Sequence, residues 1–420
     1  MIYSKTNNCR ICQSQKLTSI LNLGSQYLTG MFPAKGETIE QGPLELVKCE
    51  ECHLVQMGYS YDMSKLYGEN YGYRSGLNAS MVEHLRKKVE LICKTVKIEP
   101  QDLIVDIGSN DGTTLGHYPD RNNLFVGIDP SGAKFKKYYK PDVQLIPDFF
   151  SAHLIQNKFP GKKAKVITSI AMFYDLEDPI KFARDIASAL HENGIWVFEQ
   201  SYLPLMIETM AYDTVCHEHL EYYGLHQIQK ILSAAKLKIV DVELNDINGG
   251  SFSITATHEG NTQLMSSKKV TDLLDKEIQE GYLGLDLYKK YALDVVKHRK
   301  ELTSVIKEIR GSGQTIHAYG ASTKGNVILQ YCNFTSADIE LVAEVNEDKF
   351  GKFTPGTQIP IVSESESKSK KPNYYLVMPW HFKKNILARE KKYITEQNGK
   401  FIFPLPHIHV VTKENINEHL

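Results

Sequence analysis

The chain of 420 residues carries 49 basic and 50 acidic side chains, a net charge of −1, and 42% hydrophobic residues. The balance argues against a general nucleic-acid binder, which needs a basic excess to neutralise phosphates, and the length exceeds one ordinary core, so two or three domains are expected. No apolar run approaches the roughly 18 residues of a membrane span, and the N-terminus turns polar within a few residues; the expected location is cytoplasmic, with neither membrane nor nucleic acid as partner.

Residues 1–75 read as a metal module. Cys9 and Cys12 form one Cys-x-x-Cys pair and Cys49 and Cys52 another, separated by 36 residues. Two such pairs in an intracellular chain point to a tetrahedral zinc site; redox disulfides are the alternative, disfavoured by a reducing compartment. Four thiolates leave no open coordination position, so the zinc is expected to be structural. The module ends in the tyrosine-rich stretch YGENYGYRSG, with Tyr67, Tyr71 and Tyr73. Tyrosines beside glycines suit either a lid over a ligand or packing against the next domain.

Residues 76–258 read as an α/β domain. Apolar spacing predicts a helix near Ala79 to Lys97. Strands are expected at Leu103 to Ile107, Leu124 to Ile128, Lys165 to Ile170 and Gly194 to Phe198, with an antiparallel edge hairpin of Lys238 to Leu244 and Ser251 to His258. Strands alternating with helices imply a parallel sheet covered on both faces. The first strand runs into Gly108-Ser109-Asn110-Asp111-Gly112, a tight turn at a helix start. It lacks the third glycine of the dinucleotide fingerprint, which favours S-adenosylmethionine, a ligand with no phosphate to cradle. Asp129, followed by Pro130 at the end of the second strand, suits the ribose hydroxyls. Asp148 and Phe149 suit the adenine, the acid accepting from its amino group and the ring stacking.

Residues 259–420 open with a charged helical stretch, Lys268 to Glu308, and continue as a second α/β unit. Its strands are expected at Thr315 to Tyr319, Ile339 to Val345, Tyr374 to Met378 and Phe401 to Phe403, and the run Ser363 to Lys371 reads as a surface loop. The turn Gly320-Ala321-Ser322-Thr323-Lys324-Gly325 is not a nucleotidase phosphate loop, because the lysine precedes a glycine and no Ser/Thr follows. Its backbone donors and Lys324 still suit a diphosphate. The fold class expected is therefore α/β: a small zinc module, a central Rossmann-like methyltransferase domain and a second Rossmann-like domain.

The densest chemistry lies in Tyr212 to Tyr223, YDTVCHEHLEYY, which holds two histidines, two glutamates, three tyrosines and a cysteine. Such a cluster marks either a site or a solvated helix. It is not the zinc-protease motif: Glu221 stands where the second ligand of His-Glu-x-x-His would be.

Taken with the paired cysteines, the Tyr71-x-Tyr73-x-Ser75 stretch, VDIGSNDG, CHEHLEYY, Asn248-Gly249-Gly250-Ser251-Phe252 and Tyr319 to Gly325, the chain resembles the sugar C-methyltransferases that act on nucleotide-linked 4-keto-6-deoxyhexoses in deoxysugar biosynthesis. Thr354-Pro355-Gly356-Thr357 and Ile359-Pro360-Ile361 extend the resemblance over nearly the whole length. It implies S-adenosylmethionine as methyl donor, a dTDP- or GDP-linked 4-ketosugar as acceptor, and His219 as the base. The chain departs from relatives at Cys216, often tyrosine, and at Met172-Phe173-Tyr174-Asp175, where some carry a histidine.

The expected reaction is removal of the proton on C3, acidified by the C4 ketone, followed by attack of the enolate on the methyl group. Composition does not separate His219 from His217; the resemblance does. Glu218 is expected to orient the imidazole or bind a sugar hydroxyl. Tyr71, Tyr73, Tyr222 and Asn248 are candidate donors to the oxyanion, and His217, Ser251 and Lys324 are further substrate-binding candidates. Gly108, Asn110, Asp111, Gly112, Asp129, Pro130, Asp148 and Phe149 form the expected cofactor set. Rival readings are O- or N-methylation of a small molecule, an NAD-linked nucleotide-sugar oxidoreductase, and an RNA-binding relative. Monomer and homodimer are both open.

Overall fold

The computed structural model describes residues 2–62 and 74–420. Tyr67, Tyr71 and Tyr73 lie outside the described residues. The N-terminal module has strands β1 (Tyr3–Lys5), β2 (Leu17–Tyr27), β3 (Gln41–Cys49), β4 (Val55–Met57) and β5 (Tyr59–Tyr61). β2, β3 and β4 form an antiparallel meander, and β1 pairs with β5. The cysteine pairs sit in matching turns. The Gln13 N–H donates to Cys9 O and the His53 N–H to Cys49 O, and both Gln13 and His53 are left-handed, with φ of 61° and 64°. The four sulfurs lie within 4.8 Å of one another, with Cys9–Cys52 at 3.3 Å and Cys12–Cys49 at 3.5 Å. Thiolates about 2.3 Å from a tetrahedral zinc stand about 3.8 Å apart, so the cluster fits one ion with no ligand position left over.

The central domain is a seven-stranded sheet of β6 (Leu103–Ile107), β7 (Leu124–Ile128), β8 (Val143–Ile146), β9 (Ala164–Ile170), β10 (Leu190–Ser201), β12 (Leu237–Asn245) and β13 (Ser251–His258), in the order β12-β13-β10-β9-β6-β7-β8. The five strands from β10 to β8 are parallel, and β13 and β12 form the expected antiparallel edge. All five residues of β6 are buried, as a parallel strand covered on both faces requires. Ile104 joins Val89 and Ile92 of helix Ala79–Thr95 on one face. Leu103 and Val105 join Ile186 and Ile228 on the other, from helices Pro179–Ala189 and Leu225–Ala234. Asn78 caps the first of these helices by accepting from the Ser80 N–H.

The strand between these regions, β11 (Glu221–Tyr222), belongs to neither edge of the central sheet. It pairs antiparallel with β4, so the end of the histidine-rich segment is the fourth strand of the zinc module's sheet. The Met57 N–H also donates to Leu220 O.

The charged stretch after residue 259 is two helices. Gly281, at φ 82°, breaks it between Lys268–Gln279 and Asp286–Gly311. The first packs back on the central core through Val270 and Leu273. The second leads to a six-stranded sheet of β14 (Ile316–Tyr319), β15 (Val342–Glu344), β16 (Ile361–Ser363), β17 (Tyr374–Val377), β18 (Lys400–Phe403) and β19 (His409–Val411), ordered β16-β15-β14-β17-β18-β19 and parallel except for β19. The expected loop Ser363 to Lys371 is a helix over Glu364–Ser369: Ser363 Oγ accepts from the Glu366 N–H, and the buried Ser367 hydroxyl bridges His317 and Tyr375. Its polar composition hides a cap and one inward residue. Among the described residues no helix is long and apolar enough to cross a membrane.

Replacing Cys9 by serine is expected to release the metal, lower the thermal midpoint by on the order of 10 °C and speed amide exchange at Glu221 and Tyr222 together with β4. Metal analysis, calorimetry and hydrogen exchange read the three effects; unchanged protection of β11 would disconnect it from the module.

Candidate active site

The glycine turn sits at the tip of β6, which β7 and β9 flank on opposite sides. Ligands bind at such switch points in open α/β sheets. Gly108 and Gly112 have φ of 69° and 75°; a side chain on Gly112 would strike the Tyr139 ring. Tyr139 in turn clamps the turn, its hydroxyl bonded to Ser109 Oγ and donating to Asn110 O at 2.8 Å. Asn110 Oδ1 accepts from the Ser75 N–H. The Asp111 carboxylate accepts from the Gly76 and Thr113 N–H groups. These two residues therefore hold the turn to the chain entering helix Ala79–Thr95.

Asp129 ends β7. Oδ2 accepts the Asn110 N–H at 2.7 Å and Oδ1 accepts both the N–H and the hydroxyl of Ser131, which fixes the carboxylate and leaves Oδ2 a further lone pair. The N–H groups of Asp129 and Asp148 both donate to Ile146 O, which brings the expected ribose and adenine acids side by side, with Phe149 exposed and Pro130 at the surface. Below the turn a cavity is lined by Gly108, Ser109, Ala171, Gln200, Asn248 and Ser251. The buried Gln200 side chain has neither amide atom paired among the described residues. The fixed turn, the paired acids and a cavity with an unsatisfied polar wall fit S-adenosylmethionine. Beside them, Glu199 is fully engaged by His84 at 2.5 Å, Lys88 at 2.9 Å and Asn245 at 3.0 Å. Burial pushes its carboxyl up, but these donors hold it net below the usual carboxylate range.

The two histidines of the HEH segment have different surroundings. His217 is fully buried against the zinc module; its Nε2–H points to Gly42 O and its Nδ1 faces the Thr29 hydroxyl, both at 3.4 Å, with the Tyr61 ring edge-on. Expected among the substrate contacts, it instead fills the joint between module and segment. His219 Nδ1 donates to Thr214 O at 2.9 Å, which fixes the tautomer and leaves Nε2 as the basic nitrogen. Tyr174 packs on its ring at 4.3 Å. Burial and the nearby Lys324 charge lower its pKa to about 3.

Tyr222 spends its hydroxyl on Thr214 O, the same carbonyl that orients His219, so it braces that ring from behind. The Thr214 carbonyl, not Glu218, orients the imidazole. Glu218 turns toward Gly30, where any side chain would overlap its carboxylate, and Thr323 lies beside the same glycine. Its Oε2 has no partner among the described residues, and burial raises its pKa.

Lys324 crosses from the C-terminal domain and donates to Asn248 O at 2.6 Å. Burial lowers its pKa and the charge of Asp213 opposes that shift. Asp213 is buried and accepts from Trp380 Nε1 at 2.8 Å. Asn248, left-handed at φ 56°, thus lines the cavity below the glycine turn while its carbonyl holds the lysine that acts on His219. The cofactor side and the histidine side meet there. The Ser251 hydroxyl is turned inward onto Ile247 O. In the C-terminal sheet, Glu344 at the tip of β15 accepts the Ala321 N–H at 2.7 Å, as Asp129 accepts that of Asn110.

Sequence reading missed Tyr139, Gln200, Asp213, Trp380 and His381. Asp213 stood inside the singled-out segment. Trp380 and His381 follow β17 and reach Gly249 only because β17 lies next to β14 in the sheet, an order no local pattern encodes.

Comparison with known proteins matches three family models along the chain. They are described as "Putative zinc binding domain" at residues 9–67, "Methyltransferase domain" at 79–242 and "C-methyltransferase C-terminal domain" at 246–406. The chain is 27% identical over 415 residues to the C-methyltransferase NovU of Streptomyces niveus, covering 97% of this chain and 98% of that protein. Among solved structures, an S-adenosylmethionine-dependent methyltransferase from Clostridium acetobutylicum aligns over 44% of this chain and 92% of its own, with 14% identity and a TM-score of 0.32. LepI in complex with SAM aligns over 44% of this chain and 53% of its own, with 13% identity and a TM-score of 0.34. The zinc-binding, methyltransferase and C-terminal models, in that order and joined by a relative matched end to end, place the chain in the family of S-adenosylmethionine-dependent C-methyltransferases.

Proposed function

We propose that the chain methylates C3 of a dTDP- or GDP-linked 4-keto-6-deoxyhexose through an enolate, with His219 as the base. The observation that carries this reading is the Nδ1–H bond from His219 to Thr214 O, which leaves a neutral Nε2 beside a buried ammonium. His219 takes the C3 proton on Nε2 as the electron pair of the C–H bond moves toward the ketone oxygen. Lys324, anchored on Asn248 O, supplies positive charge where that oxygen becomes anionic. An imidazole with so low a pKa is a weak base by itself. The oxyanion forming nearby raises its proton affinity, because an opposite charge favours the imidazolium. When bound, S-adenosylmethionine supplies the electrophilic methyl carbon. Glu218, whose Oε1 lies against Gly30 and whose Oε2 has no partner among the described residues, suits a sugar hydroxyl. The nucleotide lies over the tips of β14 and β15, at the Gly320 turn and Glu344. The product belongs to deoxysugar assembly, and the enzyme works in the cytoplasm.

In heavy water with a panel of dTDP- and GDP-4-keto-6-deoxyhexoses, the enzyme is expected to add one methyl group and to exchange deuterium at C3. His219→Ala is expected to lose about a thousandfold in turnover and all exchange, with S-adenosylhomocysteine binding unchanged. Methyl transfer without exchange would instead indicate O- or N-methylation.

The pH profile tests the base independently. Its folded pKa lies below the ordinary 6.5, so the imidazole stays neutral as pH falls through 6.5 and protonates only toward about 3. The acid limb of kcat/KM is expected well below 6.5; a limb centred on 6.5 would rule out this environment for the base.

A further inference from the structure

Gln200 near the end of β10 is 1% exposed, and among the described residues its side-chain Nε2 and Oε1 have no hydrogen-bond partner. Buried amides are ordinarily satisfied, and an exception calls for a missing partner. The neighbouring polar network does not supply one: the Glu199 carboxylate is already taken up by His84, Lys88 and Asn245. Nor is Gln200 free to swing to solvent, because its backbone is held in register opposite Phe252 of β13. Gln200 lines the same cavity as Gly108, Ser109 and Asn248.

The position in the sheet identifies which end of the methyl donor lies there. Asp129, the ribose acid, is at the tip of β7, and β10 lies three strands away in the order β7-β6-β9-β10. At about 4.8 Å per strand this is roughly 14 Å. A donor with its ribose at β7 runs across the tips of β6 and β9 and presents its amino-acid end toward β10. That end is a zwitterion, with an ammonium that must donate and a carboxylate that must accept. A neutral amide is complementary to it: Oε1 takes the ammonium hydrogen and Nε2 donates to the carboxylate, with no net charge to bury.

We infer that Gln200 holds the α-aminocarboxylate end of the methyl donor in the cavity below the glycine turn. The assignment is independent of which acceptor the enzyme methylates. It makes Gln200 a determinant of donor recognition that no feature of the sequence around it announces.

Calorimetric titration of the full chain with two probes tests it. S-adenosylhomocysteine carries the aminocarboxylate; 5′-methylthioadenosine has the same nucleoside and lacks it. Gln200→Ala is expected to raise the dissociation constant for S-adenosylhomocysteine by about tenfold or more and to leave that for 5′-methylthioadenosine within about twofold. Gln200→Glu, nearly isosteric, is expected to show the same selective loss, because its carboxylate opposes that of the ligand. Retained 5′-methylthioadenosine binding certifies the fold of each variant. Equal weakening of both probes would make Gln200 a structural residue, and unchanged affinity for both would remove it from the donor site; either result overturns the assignment.

Discussion

The short pairing of β4 with β11 is the constraint on which the site depends. Two residues of the histidine-rich segment, Glu221 and Tyr222, hydrogen-bond to a strand of the zinc module rather than to the sheet that precedes them in the chain. The Gln227 side chain also donates to Cys52 O, and Arg10, one residue after the first zinc-site cysteine, lies 3.5 Å from Glu221. A metal held there would act through backbone geometry. It would close the two cysteine turns, the second of which leads into β4; β4 pairs with β11, and β11 carries Tyr222, which meets His219 at Thr214 O. The same module reaches the C-terminal domain: Asn326 donates to Thr29 O, and Gln330 accepts from the Tyr27 N–H. The zinc-binding module thus touches both other domains, and a zinc ion held by its four cysteines would leave no vacant position for chemistry of its own.

The inner strands of the two larger sheets were legible in the sequence because parallel strands buried on both faces are continuous apolar runs, as LIVDI and LFVGI show; the short edge strands β8, β16 and β19 were not expected. The cysteine knuckles, the glycine turn and Asp129 were legible because ligand spacing and turn chemistry are local. Beyond these edge strands, what escaped was of two kinds. The Ser363–Lys371 segment looked like a loop because its helix has one inward residue, Ser367, which is polar. The distinction between His217 and His219 also escaped: both lie in the same four residues, yet one faces Gly42 and the other Thr214. That difference follows from the β4 pairing, a contact spanning more than half the central domain, and no periodicity within the segment carries it. Trp380, which holds Asp213 from a different domain, was invisible for the same reason.

The electrostatics of the crevice are those of a site that withholds solvent. Lys324, Asp213, Glu218 and His219 are each shifted in the direction that disfavours charge, with burial as the leading cause. The partial offset between Lys324 and Asp213 keeps this cation tolerable there, and Asn248 O fixes its direction. Charge held in such surroundings acts strongly on a neighbouring atom that becomes charged, which is the situation of a ketone oxygen during carbon deprotonation.

The placement of Lys324 has a consequence for how such a chain can be divided. The imidazole comes from a segment stitched to the zinc module, the cavity wall from the central domain, and the ammonium from the first turn of a helix in the third domain, with Asn248 O as a contact between the last two. On the proposed assignment, no domain carries a complete centre. On the proposed reaction, a central domain excised with its cofactor pocket intact would retain the means to hold a methyl donor and would lack the ammonium assigned to the developing oxyanion. Modularity in the fold thus stops short of modularity in function, and recombining such domains between relatives demands that the joints, rather than the pockets, be kept matched.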